Sequence, residues 1–209
     1  MRLKLRQVLV LTGDRIEDVY FPIDALASSV VQLESGETLE VGIIGKEGFV
    51  GVNALLGEQI STMTVFVQAP GSAVKMKRTD FEHYVLASDS GFRRLLYRYA
   101  NALLSIVARG AACNTAHSAS QRLARWLLMA QDRIDSSTLP LTQEFLSIML
   151  GVRRATVTEA AQVLREAGAI RNGTGRVEVV NRDRLIEASC ECYGAMNTQT
   201  DAVFRDLPV

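Results

Sequence analysis

Residues 153–159 carry polar side chains of the types that recognise DNA bases and phosphates. An arginine suits the two acceptors of guanine in a bidentate pair, and a glutamate can accept a hydrogen bond from cytosine. The methyl groups of alanine and threonine can contact thymine. We assign base contacts to Arg154, Ala155, Thr158 and Glu159, and phosphate contacts to Arg153 and Thr156. This segment is therefore predicted to read a DNA sequence directly.

Such a segment has to lie at the start of a helix whose opposite face is buried. That face is predicted from four apolar residues spaced three and four positions apart: Val157, Ala160, Ala161 and Leu164. A shorter helix is predicted to start near Thr142, which follows Pro140 and can cap the next amides with its hydroxyl. The turn between the helices is at Gly151 and Val152. Two helices joined by a short glycine turn form a helix-turn-helix, whose second helix enters the major groove.

A small β-hairpin is predicted after the second helix. That helix ends at Gly168, and residues 169–180 read as strand, turn and strand, because Asn172 and Gly173 accept positive φ readily. The hairpin would form a wing beside the helices. Its two arginines and the helix cap complete the predicted DNA-binding set: Arg171, Arg176 and Thr142. Pairs of short helices that bind only other proteins share this pattern, so that alternative stays open.

The chain has 209 residues, of which 48% are hydrophobic, enough for packed cores in two domains. Its formal net charge is zero, but residues 1–90 are net acidic and residues 91–133 net basic. DNA binding therefore requires a local patch, for which Arg122 and Arg125 are further candidates. No apolar run is long enough to span a bilayer, and the charged N-terminus lacks a signal segment. A cytoplasmic protein with no membrane partner is predicted.

The first 80 residues contain short β-rich runs separated by turn sequences, a spacing that predicts a sandwich or jelly-roll barrel. The predicted strands are residues 7–11, 19–21, 28–33, 40–44, 63–68 and 73–76. Gly45, Gly48 and Gly51 lie in a loop that leads into a short helical piece at 52–56. Backbone amides around such glycines can bind an anion, but the glycines can equally serve tight turns.

Residues 89–109 contain no proline and repeat apolar side chains at three- and four-residue spacing, which predicts a long amphipathic helix. A helix of this length, which a small barrel only partly covers, commonly pairs with its copy in a homodimer. The predicted dimer contacts are Leu95, Leu96, Tyr99, Leu103 and Ile106. The alternative is a helix packed wholly on its own barrel. A further helix is predicted from Ser118 or Ser120, followed by a hinge at residues 132–137.

Five segments of this sequence, in this order, resemble the Crp/Fnr superfamily of bacterial transcription regulators: residues 19–22, 40–48, 112–114, 121–128 and 139–146. The resemblance covers nearly the whole chain. It implies an α+β fold with an N-terminal cyclic-nucleotide-binding jelly-roll barrel, a long dimerisation helix and a C-terminal winged helix-turn-helix. The corresponding domains are residues 1–90, 91–117 and 118–209.

The predicted effector pocket departs from the pattern of that superfamily. Its cyclic-AMP-binding members use a Gly-Glu pair and an Arg-Ser pair, whereas the matching positions here are Gly51-Val52 and Thr62-Met63. Without that arginine a cyclic phosphate loses its bidentate charged contact, so cyclic AMP is not expected to bind in the familiar way. The effector is left unidentified. The candidate pocket residues are Gly48, Gly51, Val52, Asn53, Thr62 and Met63.

The cysteines and histidines are candidate metal ligands and redox groups. Cys113 and His117 can share one helical face, but two ligands do not close a metal site. Cys190 and Cys192 are separated by one residue and cannot easily form an unstrained disulfide with each other, so packing is their predicted role. Oxygen-sensing members of the superfamily carry an N-terminal cysteine cluster, whereas no cysteine precedes Cys113 here. We therefore predict no metal and no cofactor.

The overall prediction is a homodimeric transcription regulator without catalytic residues that binds a roughly palindromic DNA site. Its expected partners are double-stranded DNA, a second copy of the chain, RNA polymerase and an unidentified small-molecule effector. Two alternatives stay open, a cupin-like enzyme with an accessory helical module and a protein-docking module. The enzyme alternative is weakened because residues 1–80 contain no histidine, and such barrels bind metal through several histidine and carboxylate ligands.

Overall fold

The computed structural model describes residues 1–134 and 136–205. Its N-terminal part contains seven strands: β1 (Arg2–Leu3), β2 (Val8–Val10), β3 (Asp18–Pro22), β4 (Leu26–Gln32), β5 (Thr38–Ile44), β6 (Thr64–Ala69) and β7 (Gly71–Lys77). They form two antiparallel sheets, with strand orders β1-β7-β3 and β2-β6-β4-β5. The two sheets form a β-sandwich.

Strand β4 holds the larger sheet together, because it pairs with β5 on one side and with β6 on the other. Its residues before Val31 are buried, as expected for a central strand covered on both faces. Between β5 and β6, a loop with several glycines leads into the short helix α1 (Val52–Leu55). After β7 the chain forms α2 (Arg78–Asp80) and a π-helical turn (Phe81–Leu86), which bury Phe81 beneath the sandwich.

Two capped helices connect the sandwich to the rest of the chain. The long helix α3 (Gly91–Ala116) begins where the Ser90 side chain accepts a hydrogen bond from the amide of Arg93. Helix α4 (Ala119–Arg133) begins with a complete capping box between Ser118 and Gln121. Both caps satisfy amides that have no partner within the helix, so the boundary between the helices is encoded locally.

The C-terminal part forms a compact module on α4. It contains α5 (Gln143–Leu150), α6 (Arg154–Glu166), α7 (Arg182–Ala188), α8 (Cys192–Phe204) and three short strands, β8 (Thr138–Leu139), β9 (Ile170–Gly173) and β10 (Arg176–Val179). Strand β10 lies between β8 and β9 in one antiparallel sheet. Leu127, Val157, Leu164 and Leu185 are fully buried between the helices, which fixes α5 and α6 relative to α4.

The C-terminal module also packs against the sandwich. Trp126 Nε1 donates to Glu40 Oε1 at 2.5 Å, and Arg133 Nε donates to Glu47 Oε1 at 2.6 Å. Phe145 of α5 meets Phe66 of β6 edge to face, with ring centroids 5.6 Å apart. Apolar residues of both parts share one buried cluster. The helix-turn-helix is therefore held against the sandwich in this conformation.

Helix α8 returns along α3 and ties the end of the chain to the long helix. Val203 joins the core formed by Leu96 and Tyr99 of α3. At the start of α8, Tyr193 Oη donates to Asp132 Oδ2 at 2.9 Å. One face of α3 is thereby covered by the chain itself.

The predicted fold class is confirmed: the chain has an N-terminal β jelly roll, a long helix and a C-terminal winged helix-turn-helix. All six predicted strands occur, each with ends within two residues of those expected. Strand β1 was missed because two residues carry no pattern of their own, and pairing with β7 creates it. No helix among residues 1–134 and 136–205 is long and apolar enough to cross a membrane.

Two local predictions need correction. The predicted turn of the wing, residues 172–175, is half as long in the structure, because Asn172 and Gly173 lie in β9 and only Thr174 and Gly175 form the turn, with the positive φ of 67° at Gly175. Residues 132–137 do not begin as a hinge, because Asp132 is still in α4 and accepts hydrogen bonds from Arg182 and Tyr193. Residue 135 of that segment and residues 206–209 of the predicted C-terminal tail lie outside the described part of the chain.

Candidate nucleic-acid interface

The helix-turn-helix has the local geometry that its sequence predicts. The Thr142 hydroxyl accepts a hydrogen bond from the amide of Phe145 at 3.2 Å and so caps α5. Gly151 ends α5 in the left-handed region, with φ of 61° and ψ of 41°, which favours glycine. Helix α6 then starts after Arg153 with no side-chain cap, so its first amides remain available to an anion such as phosphate.

The outer face of α6 presents the predicted reading residues to solvent. Arg153, Arg154, Ala155, Thr158 and Glu159 are exposed, whereas Thr156 is half-buried. The inner face is dry, and its residues are those predicted from the spacing: Val157, Ala160, Ala161 and Leu164. The helix is therefore anchored on one side and free to contact a groove on the other.

The polar groups on this face are only lightly engaged within the chain. Arg154 Nη2 lies 3.2 Å from Glu144 Oε1, and both side chains are well exposed. Exposed ion pairs contribute little, typically about 0 to 1 kcal/mol, so a base or phosphate can replace Glu144 at small cost. The Thr158 hydroxyl donates to the carbonyl of Arg154 and accepts from Gln143 Nε2. Its methyl group is left for apolar contact.

The wing places two further cations beside the helices. Arg171 and Arg176 are exposed, on β9 and β10 respectively. Arg171 Nη1 lies 3.3 Å from Glu178 Oε2, an exposed pair like that of Arg154. The positive groups of α6 and of the wing suit a backbone that carries a charge at every phosphate.

Arg122 and Arg125 do not belong to this surface, contrary to expectation. Both are buried in α4. Arg122 Nη1 donates to the carbonyl of Leu150 at 2.9 Å, and Arg125 Nη1 contacts the sulfurs of Met129 and Met196. Helical periodicity turns these two arginines toward the module's interior, where no DNA reaches them.

The predicted effector pocket is present only as a small cavity of about 60 Å³ inside the sandwich. Gly51, Val52, Asn53 and Met63 line it, and Thr62 is linked to it through a 3.1 Å hydrogen bond from Asn53 Nδ2. Gly48 does not line the cavity. A Cβ at Gly48 would lie 2.2 Å from the Tyr99 ring, so this glycine serves close packing and not an anion.

A cyclic nucleotide does not fit this cavity. Ligand pockets usually enclose about 300 to 1,000 Å³, several times the observed volume. Among the described residues, none that lines the cavity carries a charge, and Ser29 and Asn53 are the polar ones. A cyclic phosphate would lose its hydration there without gaining a cation. Within residues 1–134 and 136–205, no cation lines this cavity in place of the arginine that cyclic-AMP-binding members of the superfamily use.

The predicted dimer contacts on α3 are largely used within the chain. Leu96 and Tyr99 are buried against the sandwich and α8, and Leu95 and Leu103 pack on the same cluster. Ile106 packs on the core of the C-terminal module. In this arrangement Leu96 and Tyr99 are not available to a partner, because they are buried in a cluster with Phe49, Phe81 and Val203 of the returning helix α8. That helix could not be anticipated from the periodicity of α3.

The cysteines have a different arrangement from the one expected. Cys113 and His117 are joined by Cys190 and Cys192, and donor atoms from all four residues lie within 4.8 Å of one another. Burial raises the pKa of the Cys113 thiol to about 12. The sequence separated these residues into two unrelated pairs, because about 75 positions lie between them. No spacing motif signals the meeting, which depends on α8 folding back onto α3.

A polar link between the sandwich and α4 was also missed. Glu40 accepts hydrogen bonds from Trp126 Nε1 and from Ser28 Oγ. Burial raises the pKa of the Glu40 carboxyl to about 7, although these hydrogen bonds and the nearby Arg125 and Arg133 act in the opposite direction. The sequence feature that could have indicated this link is Glu40 itself, the one charged residue of strand β5. The link couples the protonation of one side chain to the contact between the two parts.

Comparison with solved structures identifies the same arrangement elsewhere. A CRP-family transcriptional regulator from Thermus thermophilus superposes with a TM-score of 0.74 at 18% identity, covering 90% of this chain and 96% of that one. FixK2 from Bradyrhizobium japonicum superposes with a TM-score of 0.68 at 17% identity, covering 91% and 96%. CLP from Xanthomonas campestris, described as a c-di-GMP-responsive global regulator, gives 0.67 at 16%, covering 87% and 93%. At these identities the likeness shows the fold.

The family assignment comes from the sequence. No curated protein matches the chain. Residues 1–88 match the family described as cyclic nucleotide-binding domain, and residues 121–188 match the Crp-like helix-turn-helix domain. The two matches occur in the order of the superfamily that the motifs resemble, and α3 lies between them. The chain therefore belongs to the Crp/Fnr superfamily.

Proposed function

We propose that the protein is a sequence-specific DNA-binding transcription regulator that acts as a homodimer. One observation carries this proposal: the start of α6 exposes Arg153 and Arg154 on a helix whose other face is fixed in a core, with the cationic wing beside it. Proteins that read DNA need this combination of a rigid scaffold and lightly engaged polar groups. The described relatives of this fold are transcriptional regulators, which agrees with it.

Within this proposal, α6 enters the major groove and the wing contacts the backbone. The base contacts are assigned to Arg154, Ala155, Thr158 and Glu159. The phosphate contacts are assigned to Arg153, Thr156, Arg171 and Arg176, with Thr142 holding the start of α5 near the backbone. Because the phosphate contacts release counterions, binding should weaken steeply as salt increases.

The homodimer is assigned to the exposed side of α3. Tyr97, Leu104 and Val107 are exposed apolar residues on this helix, at the spacing of a coiled-coil seam. Ala111, also exposed, continues the stripe. The division of labour follows: residues 1–90 form the sensor domain, 91–117 the dimerisation helix and 118–209 the DNA-binding domain. Two copies of α6 would then contact half-sites about one helical turn of DNA apart.

The proposed function requires no catalytic step. The protein is assigned to the cytoplasm, with double-stranded DNA as its binding partner. RNA polymerase is the expected further partner of a regulator of this kind. The sensor domain is proposed not to respond to cyclic AMP, because its cavity is too small and carries no charged lining. The cupin-like enzyme gains no support, since that cavity is lined by neither histidine nor carboxylate among the described residues.

Selection of bound sequences from random double-stranded DNA, combined with native mass spectrometry, tests the function. We expect enrichment of a roughly palindromic motif and a complex that contains two chains per duplex. Absence of any enriched motif at moderate salt would remove sequence-specific binding from the account. A protein that stays monomeric both free and on DNA would remove the homodimer but leave the reading face intact.

A further inference from the structure

The side chains of Cys113, His117, Cys190 and Cys192 meet where the C-terminal end of α3 contacts the segment between α7 and α8. The Sγ atoms of Cys113 and Cys190 are 3.5 Å apart, and Cys192 Sγ is 3.8 Å from His117 Nδ1. All three cysteines are buried, and none forms a disulfide. Four donors of the types that bind thiophilic metals therefore surround one point.

These two distances match those of a tetrahedral metal site, and the four donors, which all lie within 4.8 Å of one another, would close slightly around an ion. Zn²⁺ binds thiolate sulfur at about 2.3 Å and imidazole nitrogen at about 2.0 to 2.1 Å, so its tetrahedral donors lie about 3.5 to 3.8 Å apart. An iron–sulfur cluster needs more room, because bridging sulfides and several irons separate its thiolates. We propose that Cys113, His117, Cys190 and Cys192 form a closed tetrahedral site for a thiophilic divalent cation, of which Zn²⁺ is the best match.

The orientation of His117 supports a ligand role. Its Nδ1 faces the thiol of Cys192, and its Nε2 lies 3.1 Å from Glu191 Oε2. A carboxylate at that position holds the proton on Nε2, which leaves the Nδ1 lone pair directed at the three sulfurs. Metal-binding histidines characteristically have such a partner on the nitrogen that does not bind the metal. Glu191 is thus a positioning residue.

The charge around the cluster also favours a metal. Arg122 and Arg125 are buried, interact electrostatically with Cys113, and have no carboxylate within ion-pair distance among residues 1–134 and 136–205. The Nε atom of each also lacks a hydrogen-bond partner. With neutral thiols, Arg122 is balanced by hydrogen bonds to oxygens of Asn114 and Leu150, and Arg125 by the Glu40 carboxyl beyond ion-pair distance, so neither guanidinium has a close anionic partner among the described residues. Three thiolates around one divalent cation leave a net negative charge, which would stabilise both guanidinium groups.

The site would be structural and would link two helices. Four protein ligands leave no open coordination position, which is the arrangement of structural and not catalytic zinc. Cys113 and His117 belong to the end of α3, and Cys190 and Cys192 to the DNA-binding domain, so the ion would join the dimerisation helix to α8. On binding, each thiol releases its proton to solvent as its sulfur coordinates the ion, and the affinity falls at acidic pH.

Elemental analysis of the full chain, purified without chelators under reducing conditions, is the first test. We expect about one zinc per chain in the wild type, as for a closed four-ligand site. His117→Gln should lose the metal, whereas His83→Gln should retain it, because His83 is exposed and meets Tyr84 edge to face, outside the cluster. Equal metal content in both histidine variants would overturn the site.

Cobalt substitution tests the geometry without reference to DNA binding. The reduced apoprotein should take up one Co²⁺ with the intense visible bands of tetrahedral coordination and a thiolate charge-transfer band, and Zn²⁺ should abolish both. Cys192→Ser should weaken the charge-transfer band, with circular dichroism checking that the variant is folded. If that variant does not fold, His117→Gln provides the same comparison. Failure of the reduced wild type to bind either ion, or formation of a Cys113–Cys190 disulfide in its place, would refute the proposal.

The role of Glu191 has its own test. Glu191→Ala should lower zinc affinity about 10- to 100-fold, and Glu191→Gln, which retains an acceptor for His117 Nε2, should recover most of it. Glu187→Ala removes an exposed carboxylate from the neighbouring helix α7 and serves as the control. Equal affinities for Glu191→Ala and Glu187→Ala would show that Glu191 does not position the histidine.

Discussion

The reading face of α6 and the cavity of the sandwich contrast in chemistry although they belong to one chain. The reading face exposes arginines whose partners are weak and replaceable. The cavity is about 60 Å³, apolar and closed on one side by Leu103 and Val107 of α3. The ion pairs of the reading face can be replaced by contacts with another charged molecule. The cavity offers mainly apolar side chains to anything that enters it.

The two ends of the molecule therefore differ in the chemistry that they expose. The helix-turn-helix has the expected fold and presents polar side chains to solvent. The sandwich has the expected fold, but Gly48 in its glycine-containing loop packs closely against the Tyr99 ring. The side chains that can respond to pH or to metal ions lie between the two ends: Glu40, which can gain a proton, and the cluster of three cysteines and His117. Regulation is therefore expected at the junction of the domains.

The largest predicted effect concerns the reading face. Arg154→Ala should weaken binding of a selected palindrome by about 2 to 6 kcal/mol, because a guanine contact worth about 1 to 3 kcal/mol is lost in each half-site. Arg165→Ala removes the same charge from the far end of α6 and is the control. Titration of both variants against the selected site and its single-base variants measures the effect. A uniform loss across all sequences would make Arg154 a phosphate contact.

A smaller effect is predicted at the junction. The pKa of Glu40 is raised to about 7 in the folded protein from its ordinary value of 4.5. The folded state therefore holds a proton that the unfolded state releases, so stability is lost as the pH rises from about 4.5 to about 7, by no more than about 3 kcal/mol. Urea unfolding of wild type, Glu40→Gln and the exposed control Glu37→Gln at about pH 5 and about pH 8 measures it. We expect only Glu40→Gln to lack this loss; the same pH dependence in all three would contradict it.

The packing role of Gly48 gives a third prediction. Gly48→Ala should lower the free energy of unfolding by about 1 to 3 kcal/mol, because the new methyl group overlaps the Tyr99 ring. Gly194→Ala in α8 meets open space and should be neutral or slightly stabilising. Chemical denaturation compares the two. If Gly48→Ala retained full stability but lost an effector response, the loop would be a binding site after all.

The smallest expected effect is that of cyclic AMP itself. A ligand present at a hundred times its Kd stabilises a folded protein by about 2.7 kcal/mol, so binding would raise the Tm visibly. We expect no shift in thermal unfolding at millimolar cyclic AMP, because the cavity has neither the volume nor a cation for the phosphate. A clear, saturable shift would show that the sensor domain opens to a conformation different from this one.

The helix-turn-helix was predictable because its determinants are local. The Thr142 cap, the left-handed Gly151 and the dry face of α6 all act within a few residues, and each is observed as expected. The absence of an arginine among the lining of the sandwich cavity agrees with the prediction made from residues 51–52 and 62–63.

What could not be predicted depends on contacts between distant segments. Helix α8 adds Val203 to the cluster of Leu96 and Tyr99 and brings Cys190 and Cys192 to Cys113, and nothing in the spacing of α3 encodes this return. The arginines of α4 were misplaced for a related reason. Charge alone suggests a surface, whereas the fold turns Arg125 toward buried thioether sulfurs.

Sequence-specific recognition is measured by the ratio of affinities for the selected palindrome and for scrambled DNA of equal length, in titrations of the wild-type protein at one fixed salt concentration. An exposed reading helix on a fixed scaffold predicts a preference of at least about 10³-fold with two chains per palindrome. Equal affinity for both duplexes would contradict the assignment of sequence-specific DNA recognition to this protein.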